Sequence, residues 1–155
     1  MERLAIQLMR TFPHLIARSG NADGSDQAWA RGVNSVDPKR LHLILPSPNY
    51  KAKAIHPDND ALCLQKADKV DTDEARALTR EHYVYGNRRG AAVFDGLPAF
   101  KKNYLDRDAL KVLGVEDYKG RKLKATAALF YLNPGKPGGG GTGHNIRICE
   151  AEKVT

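Results

Sequence analysis

Only two cysteines, Cys63 and Cys149, occur in the 155 residues. They are far apart, with no CxxC and no neighbouring His/Cys cluster. That spacing excludes a disulfide scaffold and gives no zinc signature; two buried free thiols are expected instead. No run of 18 apolar residues exists, so no membrane-spanning helix is expected. Aromatic residues are scarce at 7% and do not alternate with basic ones, which argues against a stacking platform for single strands. The N-terminal Met1-Glu2-Arg3-Leu4 lacks the layout of a secretory signal, so a cytoplasmic location is expected. A Walker lysine motif is missing too, because Gly135-Lys136-Pro137 has no Ser/Thr after the lysine and its proline removes a cradle N–H. No cofactor is implied.

What the chain does have is positive charge, a formal +7. That excess favours an anionic partner. Both a phosphorylated small molecule and a nucleic acid satisfy it. The charges are scattered, apart from the pairs Arg88-Arg89 and Lys101-Lys102 and the stretch Lys119 to Lys124, which reads as a solvated turn.

Periodicity divides the chain into alternating elements. Leu4, Ala5, Leu8, Met9 and Phe12 recur at helical spacing up to Pro13. Leu15-Ile16-Ala17 reads as a short strand and Ser19 to Asp26 as a turn. Gln27 to Arg31 then forms a helix that Gly32 or Asn34 ends, and Leu41 to Leu45 a second strand stopped by Pro46. Such alternation implies a parallel sheet with helices on its faces. Asp60 to Lys69 offers a short helix. Asp71 and Glu74 resemble a capping box for a helix from Thr72 to Tyr83. Tyr85 to Gly90 reads as a loop, and Phe100, Tyr104, Leu110 and Leu113 as a helix closed by Gly114. Ala125 to Leu132 is continuous and apolar, as a buried central parallel strand is. After the glycine-rich run Asn133 to Thr142, a last helix is expected from about Gly143, with Ile146 and Cys149 on one face. No repeat or linker interrupts this, so one domain over residues 1–155 is expected.

The two glycine-rich turns share a layout of apolar strand, tight turn and helix start. Parallel α/β sheets bind ligands there, because unpaired N–H groups and the helix dipole face an incoming anion. The first turn nominates Arg18, Ser19, Gly20, Asn21, Asp23 and Asp26, with Pro46 and Tyr50 from the loop after the second strand. The second nominates Gly139, Gly140, Gly141, Thr142, Gly143, His144, Asn145 and Arg147. Asp23 and Asp26 have two readings, as contacts to ligand hydroxyls or as loop and helix caps. Arg88 and Arg89 can fold over an anion or solvate a loop, Tyr50 and Tyr85 can stack on a base or be structural, and Trp29 reads as core.

Ser19-Gly-Asn-Ala-Asp-Gly-Ser-Asp26 resembles the Ser-Gly-Gly-Ala-x-Gly-x-Asp element of the SLOG superfamily. Gly140-Gly-Thr-Gly-His-Asn-Ile-Arg-Ile148 resembles the Gly-Gly-Thr-x-x-x-Ile-Arg-Ile segment of its short phage members, and Leu43 to Tyr50 the strand and proline-containing loop found there. The resemblance runs over about residues 14 to 150. It implies a Rossmann-like three-layer α/β fold with a small, mainly parallel sheet that lacks the usual first strand. The resulting exposed sheet edge favours a homo-oligomer. It also implies a ligand derived from a nucleotide, such as an ADP-ribose derivative or a cyclic nucleotide signal. By analogy with phage proteins, such a binder would sequester a host immune signal in the host cytoplasm. The Lonely Guy relatives carry Pro-Gly-Gly-x-Gly-Thr-x-x-Glu, where this chain runs from Pro137 to Asn145. An amide at Asn145 cannot ionise, which implies a retained pocket without catalysis. Two alternatives stay open. One is an N-glycoside or phosphoribosyl hydrolase, with Asp23, Asp26 or a neighbouring subunit's Glu150 supplying the carboxylate. The other is a DNA-binding protein resembling DNA-processing protein A.

Overall fold

A computed structural model describes residues 1–83, 88–115, 122–132 and 140–155, with the side chains of 88 and 89 left aside. The expected loop at Tyr85, Asn133 to Gly139 of the glycine-rich run, and Lys119 to Arg121 lie outside these residues. The fold is mixed α/β and Rossmann-like, a small open parallel sheet flanked by helices. The chain divides into two compact units, Met1–Lys66 and Ala67–Thr155.

In the first unit, helix α1 (Glu2–Thr11) is followed by strand β1 (Ala17–Ser19), helix α2 (Ser25–Asn34), strand β2 (Leu41–Leu45) and strand β3 (Asp60–Cys63). The three strands are parallel in the order β1-β2-β3, with Ser19 opposite Leu43 and Leu45 opposite Cys63. Ala17, Leu41, Leu43, Leu45 and Cys63 meet Ala5 and Met9 of α1 and Ala30 and Val33 of α2 in one core. The alternation that places these residues on one face is the two-residue period of a strand. Two expectations change here and one is narrowed. The first strand begins two residues later than Leu15. Of the two candidate ends of α2, Asn34 is the last residue of the helix and Gly32 lies inside it, where a Cβ would stand 2.4 Å from the Glu2 carbonyl oxygen and 2.7 Å from the Ala5 Cβ. It is a glycine because α1 crosses at that point. Asp60 to Lys69, expected as a helix, holds β3 and a 3-10 turn, Leu64–Lys66, because pairing with β2 outweighs a helical propensity that few apolar residues support.

The end of α1 is closed from a distance. The Arg40 guanidinium donates to the carbonyl oxygens of Met9 (3.0 Å), Phe12 (2.5 Å) and Leu15 (2.9 Å). A helix end leaves such carbonyls short of partners, and the Phe12 oxygen takes the Leu15 N–H (3.0 Å) as well.

The second unit holds helices α3 (Lys69–His82), α4 (Arg88–Asp95), α5 (Ala99–Leu113) and α6 (Gly140–Ala151), and no strand among its described residues. The expected cap of α3 shifts to Asp68, whose carboxylate accepts from the Val70 amide at 2.7 Å. Asp71 and Glu74 instead grip Lys122, and Lys124 pairs with Glu152, so the basic stretch is partly consumed inside the unit. The expected loop through Gly90 gives way to α4 from Arg88 onward. Gly114 closes α5 as expected, with φ +83° and the Leu123 carbonyl where a side chain would sit.

The clearest departure is Ala125 to Leu132. It forms no strand, and Leu129, Phe130, Tyr131 and Leu132 are exposed. A strand needs neighbours for its N–H and C=O groups. This segment has Ala125 N–H donating to Val112 and Ala128 N–H to Thr155, which is two bonds rather than a ladder. The last helix starts at Gly140, three residues before the expected point, and buries Ile148 and Cys149 while Ile146 is half-buried. Both cysteines are buried and free. No described helix is long and apolar enough to cross a membrane.

Candidate functional site

The first glycine turn follows β1, at the carboxyl end of the sheet. Asn21 takes the left-handed conformation at φ 58° and is fully buried, its amide donating to the Lys51 carbonyl at 3.3 Å. Lys51 itself has φ 49°, forms an ion pair with Asp23 and lies 5.8 Å from the Tyr50 ring. Asp23 also accepts from Gln27 at 3.1 Å. Asn21, Asp23 and Tyr50 are thus brought together where the loops after β1 and β2 meet. Pro46 is buried beside them in sequence, its carbonyl held by Gln65 at 3.1 Å.

The backbone amides that suit an anion here already have one. Asp26 Oδ2 accepts from both the Gly20 and the Ala22 N–H at 3.2 Å. The carboxylate stands where a phosphate oxygen would, so loop fixation is its observed role. Arg18 and Ser19 point to opposite sheet faces, as neighbours in a strand must. Arg18 lies in a cross-strand row with His42 and Asp60. Burial holds the Arg18 guanidinium below its ordinary value. Burial also lowers His42, with Arg18 adding to that and Asp60 opposing it. Ser19 faces the core with its hydroxyl unpartnered, as is the Asn21 side-chain oxygen.

The second unit contains a cleft of about 540 Å³ at the start of α6. That volume lies in the range of small-molecule sites. Gly140, Gly141, His144 and Arg147 line it from α6, joined by Lys101, Tyr104, Leu105, Arg107 and Asp108 of α5 and by Tyr83. Spacings of three and four residues place Gly140, His144 and Arg147 on one helical face. Gly141 permits the close approach of α5, because a Cβ there would stand 3.3 Å from Asp108 Oδ2.

The α5 floor is unusual in burying Asp106, Arg107 and Asp108 consecutively. Burial pushes the Asp108 carboxyl up, yet Lys111 and Arg107 outweigh it and hold the group below the ordinary carboxylate range. Both cations bond its Oδ1, at 2.9 and 2.8 Å. Asp106 behaves oppositely. Burial raises it to about 6 in spite of its bond from Arg76. With Asp108 paired by Arg107 and Lys111, Lys101 and Arg147 leave the cleft net positive. Arg147 is oriented by donating to the His82 carbonyl at 3.0 Å.

His144 is the least satisfied group in the cleft. It is 1% exposed, and neither ring nitrogen has a hydrogen-bond partner among the described residues. Burial pulls its pKa down to about 4. Asp108 and the Leu105 backbone favour the charged ring, and Arg147 and Lys111 oppose it. The ring is therefore neutral at physiological pH.

Of the residues expected at the second turn, Gly140, Gly141, His144 and Arg147 line the cleft. Thr142, Gly143 and Asn145 do not, and Gly139 lies outside the described residues. The Asn145 amide is spent on the Gly141 carbonyl, one turn back, at 3.1 Å. Tyr83, Lys101, Tyr104, Arg107 and Asp108 were not legible as site residues. The available signal was a run of charges, Asp106-Arg107-Asp108, enclosed by the apolar Leu105, Ala109 and Leu110 of one helix. No group of three or more His, Cys, Asp or Glu side chains suited to a metal ion occurs among the described residues. Compared with protein-family models, with curated proteins and with solved structures, the chain matches none.

Proposed function

We propose that this protein binds a nucleotide-derived anion in the cleft at the start of α6 and holds it without turnover. The observation that carries the reading is that Lys101, Arg107 and Arg147 line one cleft with the first two glycines of α6, where Arg107 and Lys111 already hold the lining carboxylate Asp108. Guanidinium and ammonium groups with a helix N-terminus make a phosphate site. Tyr83 and Tyr104 supply aromatic surface for a base. The SLOG-like motifs narrow the ligand class to an ADP-ribose derivative or a cyclic nucleotide signal, and by analogy suggest sequestration by a phage protein.

The test is a thermal-shift panel of ADP-ribose isomers, cyclic dinucleotides and nucleoside monophosphates, with the ligand recovered by denaturation and identified by chromatography. Stabilisation with the ligand returned unchanged is the expected result. Conversion to free base and a ribose product would replace binding by hydrolysis. No shift with any of them, together with DNA binding that falls steeply between low and moderate salt, would replace it by a nucleic-acid function.

A further inference from the structure

His144 is a buried polar group for which no described residue stands in hydrogen-bonding geometry, although the Leu105 backbone is close enough to favour its charged form. A neutral imidazole has one N–H donor and one lone-pair acceptor, and both are unpartnered here. Buried groups are almost always satisfied, and an exception calls for a partner from outside the chain. That partner enters through the cleft, because His144 lines it. An ionised phosphate meets only the N–H and leaves the lone pair of the other nitrogen unmet. It accepts but does not donate, and the charge it would seek is missing from a ring that burial keeps neutral. An alcohol hydroxyl both donates and accepts, so it can meet either nitrogen.

Position along the cleft identifies which hydroxyl. On α6, His144 stands one turn from Gly140 at the helix start and one turn from Arg147, between the groups suited to phosphate. Its ring centroid is 6.5 Å from that of Tyr83, the aromatic surface suited to a base. The part of a nucleotide that joins base to phosphate is the sugar. Resting on the binding role proposed above, we infer that the His144 imidazole hydrogen-bonds a sugar hydroxyl of the ligand and makes the site select phosphorylated sugars over bare phosphates.

The experiment titrates inorganic pyrophosphate, ribose 5-phosphate and AMP into the wild-type chain and into His144→Leu and His144→Gln by calorimetry, and compares the melting temperatures of the ligand-free proteins. The leucine variant removes an unsatisfied polar group at similar volume. It is expected to melt at or above the wild-type temperature while losing about tenfold in affinity for ribose 5-phosphate and AMP, the size of one hydrogen bond. Pyrophosphate affinity is expected to change less than twofold. Glutamine keeps a donor and an acceptor and is expected to recover part of the sugar-phosphate affinity. Equal losses for all three ligands would overturn the inference, as would a loss confined to AMP, which would make the base edge the contact. A lower melting temperature for ligand-free His144→Leu would overturn it too, by showing the ring is satisfied. If the wild type binds none of the three, the binding role itself fails. If the wild type binds them and His144→Leu binds all three equally well, only the assignment of His144 fails.

Discussion

The first unit and the second each place glycines at the start of a helix, and the surrounding acids treat the two starts in opposite ways. In the first, the turn after β1 closes on itself. Asp26 reaches back to the Gly20 and Ala22 amides, and Asp23 takes Lys51. In the second, the nearby carboxylate, Asp108, is held by Arg107 and Lys111, and Lys101 and Arg147 line the cleft beside an imidazole with no hydrogen-bond partner among the described residues. A glycine-rich helix start is thus only a potential anion site. Whether it is vacant depends on where the chain's own acids point, and that is fixed by tertiary contacts several residues or a whole helix away.

The largest effect that would break this contrast is at Asp108. Asp108→Asn leaves Arg107 and Lys111 buried without their carboxylate, and breaking a buried pair costs about 3–5 kcal/mol. Urea unfolding would show it. A loss below 1 kcal/mol would mean the floor of the cleft is solvated rather than charge-locked.

Next in size is a pH effect on the same floor. Above pH 6.5 the His144 ring is neutral in both the folded and the unfolded chain. As pH falls from about 6.5 to 4, the unfolded chain takes a proton that the folded one refuses, so stability drops by up to about 3 kcal/mol. Asp106 works the other way. Its folded carboxyl stays protonated up to about 6 while the unfolded one ionises above 3.8, so its contribution is present at low pH and lost as pH rises through 6. Between pH 4 and 6 the two slopes largely cancel. His144→Leu removes one of them, and its stability relative to wild type should grow by about 1.4 kcal/mol for each unit of acidification across that window. Parallel stability curves would contradict the burial of a neutral ring.

Smaller still, Asp26→Ala strips the acceptor from two amides of the first turn, at a cost of about 1–3 kcal/mol. The same substitution should leave ligand affinity in the α6 cleft unchanged. The smallest effect on stability belongs to Arg147→Ala. One hydrogen bond from a half-buried side chain to the His82 carbonyl is worth about 1 kcal/mol, while binding of ADP-ribose should weaken at least tenfold, because a charged partner is removed.

The sequence made some of this legible and hid the rest for physical reasons. Leu41 to Leu45 was read at its true bounds, and Ala125 to Leu132 was read by the same rule and is no strand. Both are apolar runs; β2 has a neighbour on each side and 125–132 has none among the described residues. Apolarity marks a segment that would pair, and pairing requires an edge that local sequence does not report. The four residues of β3 carry too little pattern to show a period, and its pairing with β2 decides its form. Asp26 was recognised as either a ligand contact or a cap, and only its distance to two amides separates these. In the cleft, Gly140, His144 and Arg147 were visible as a helix start, whereas α5 was read only for its apolar face. Its charged face, which supplies the floor of Asp106, Arg107 and Asp108, became apparent through burial.

The most direct test of the central claim locates the ligand. Amide chemical shifts of the isotope-labelled protein would be followed during titration with ADP-ribose. The account predicts perturbations at Gly140, Gly141, His144 and Arg147, and on α5 at Lys101 and Tyr104, with Gly20 to Gly24 unmoved. Shifts confined to Gly20, Asn21, Ala22 and Tyr50, with α6 silent, would contradict it and return the binding site to the turn that Asp26 closes.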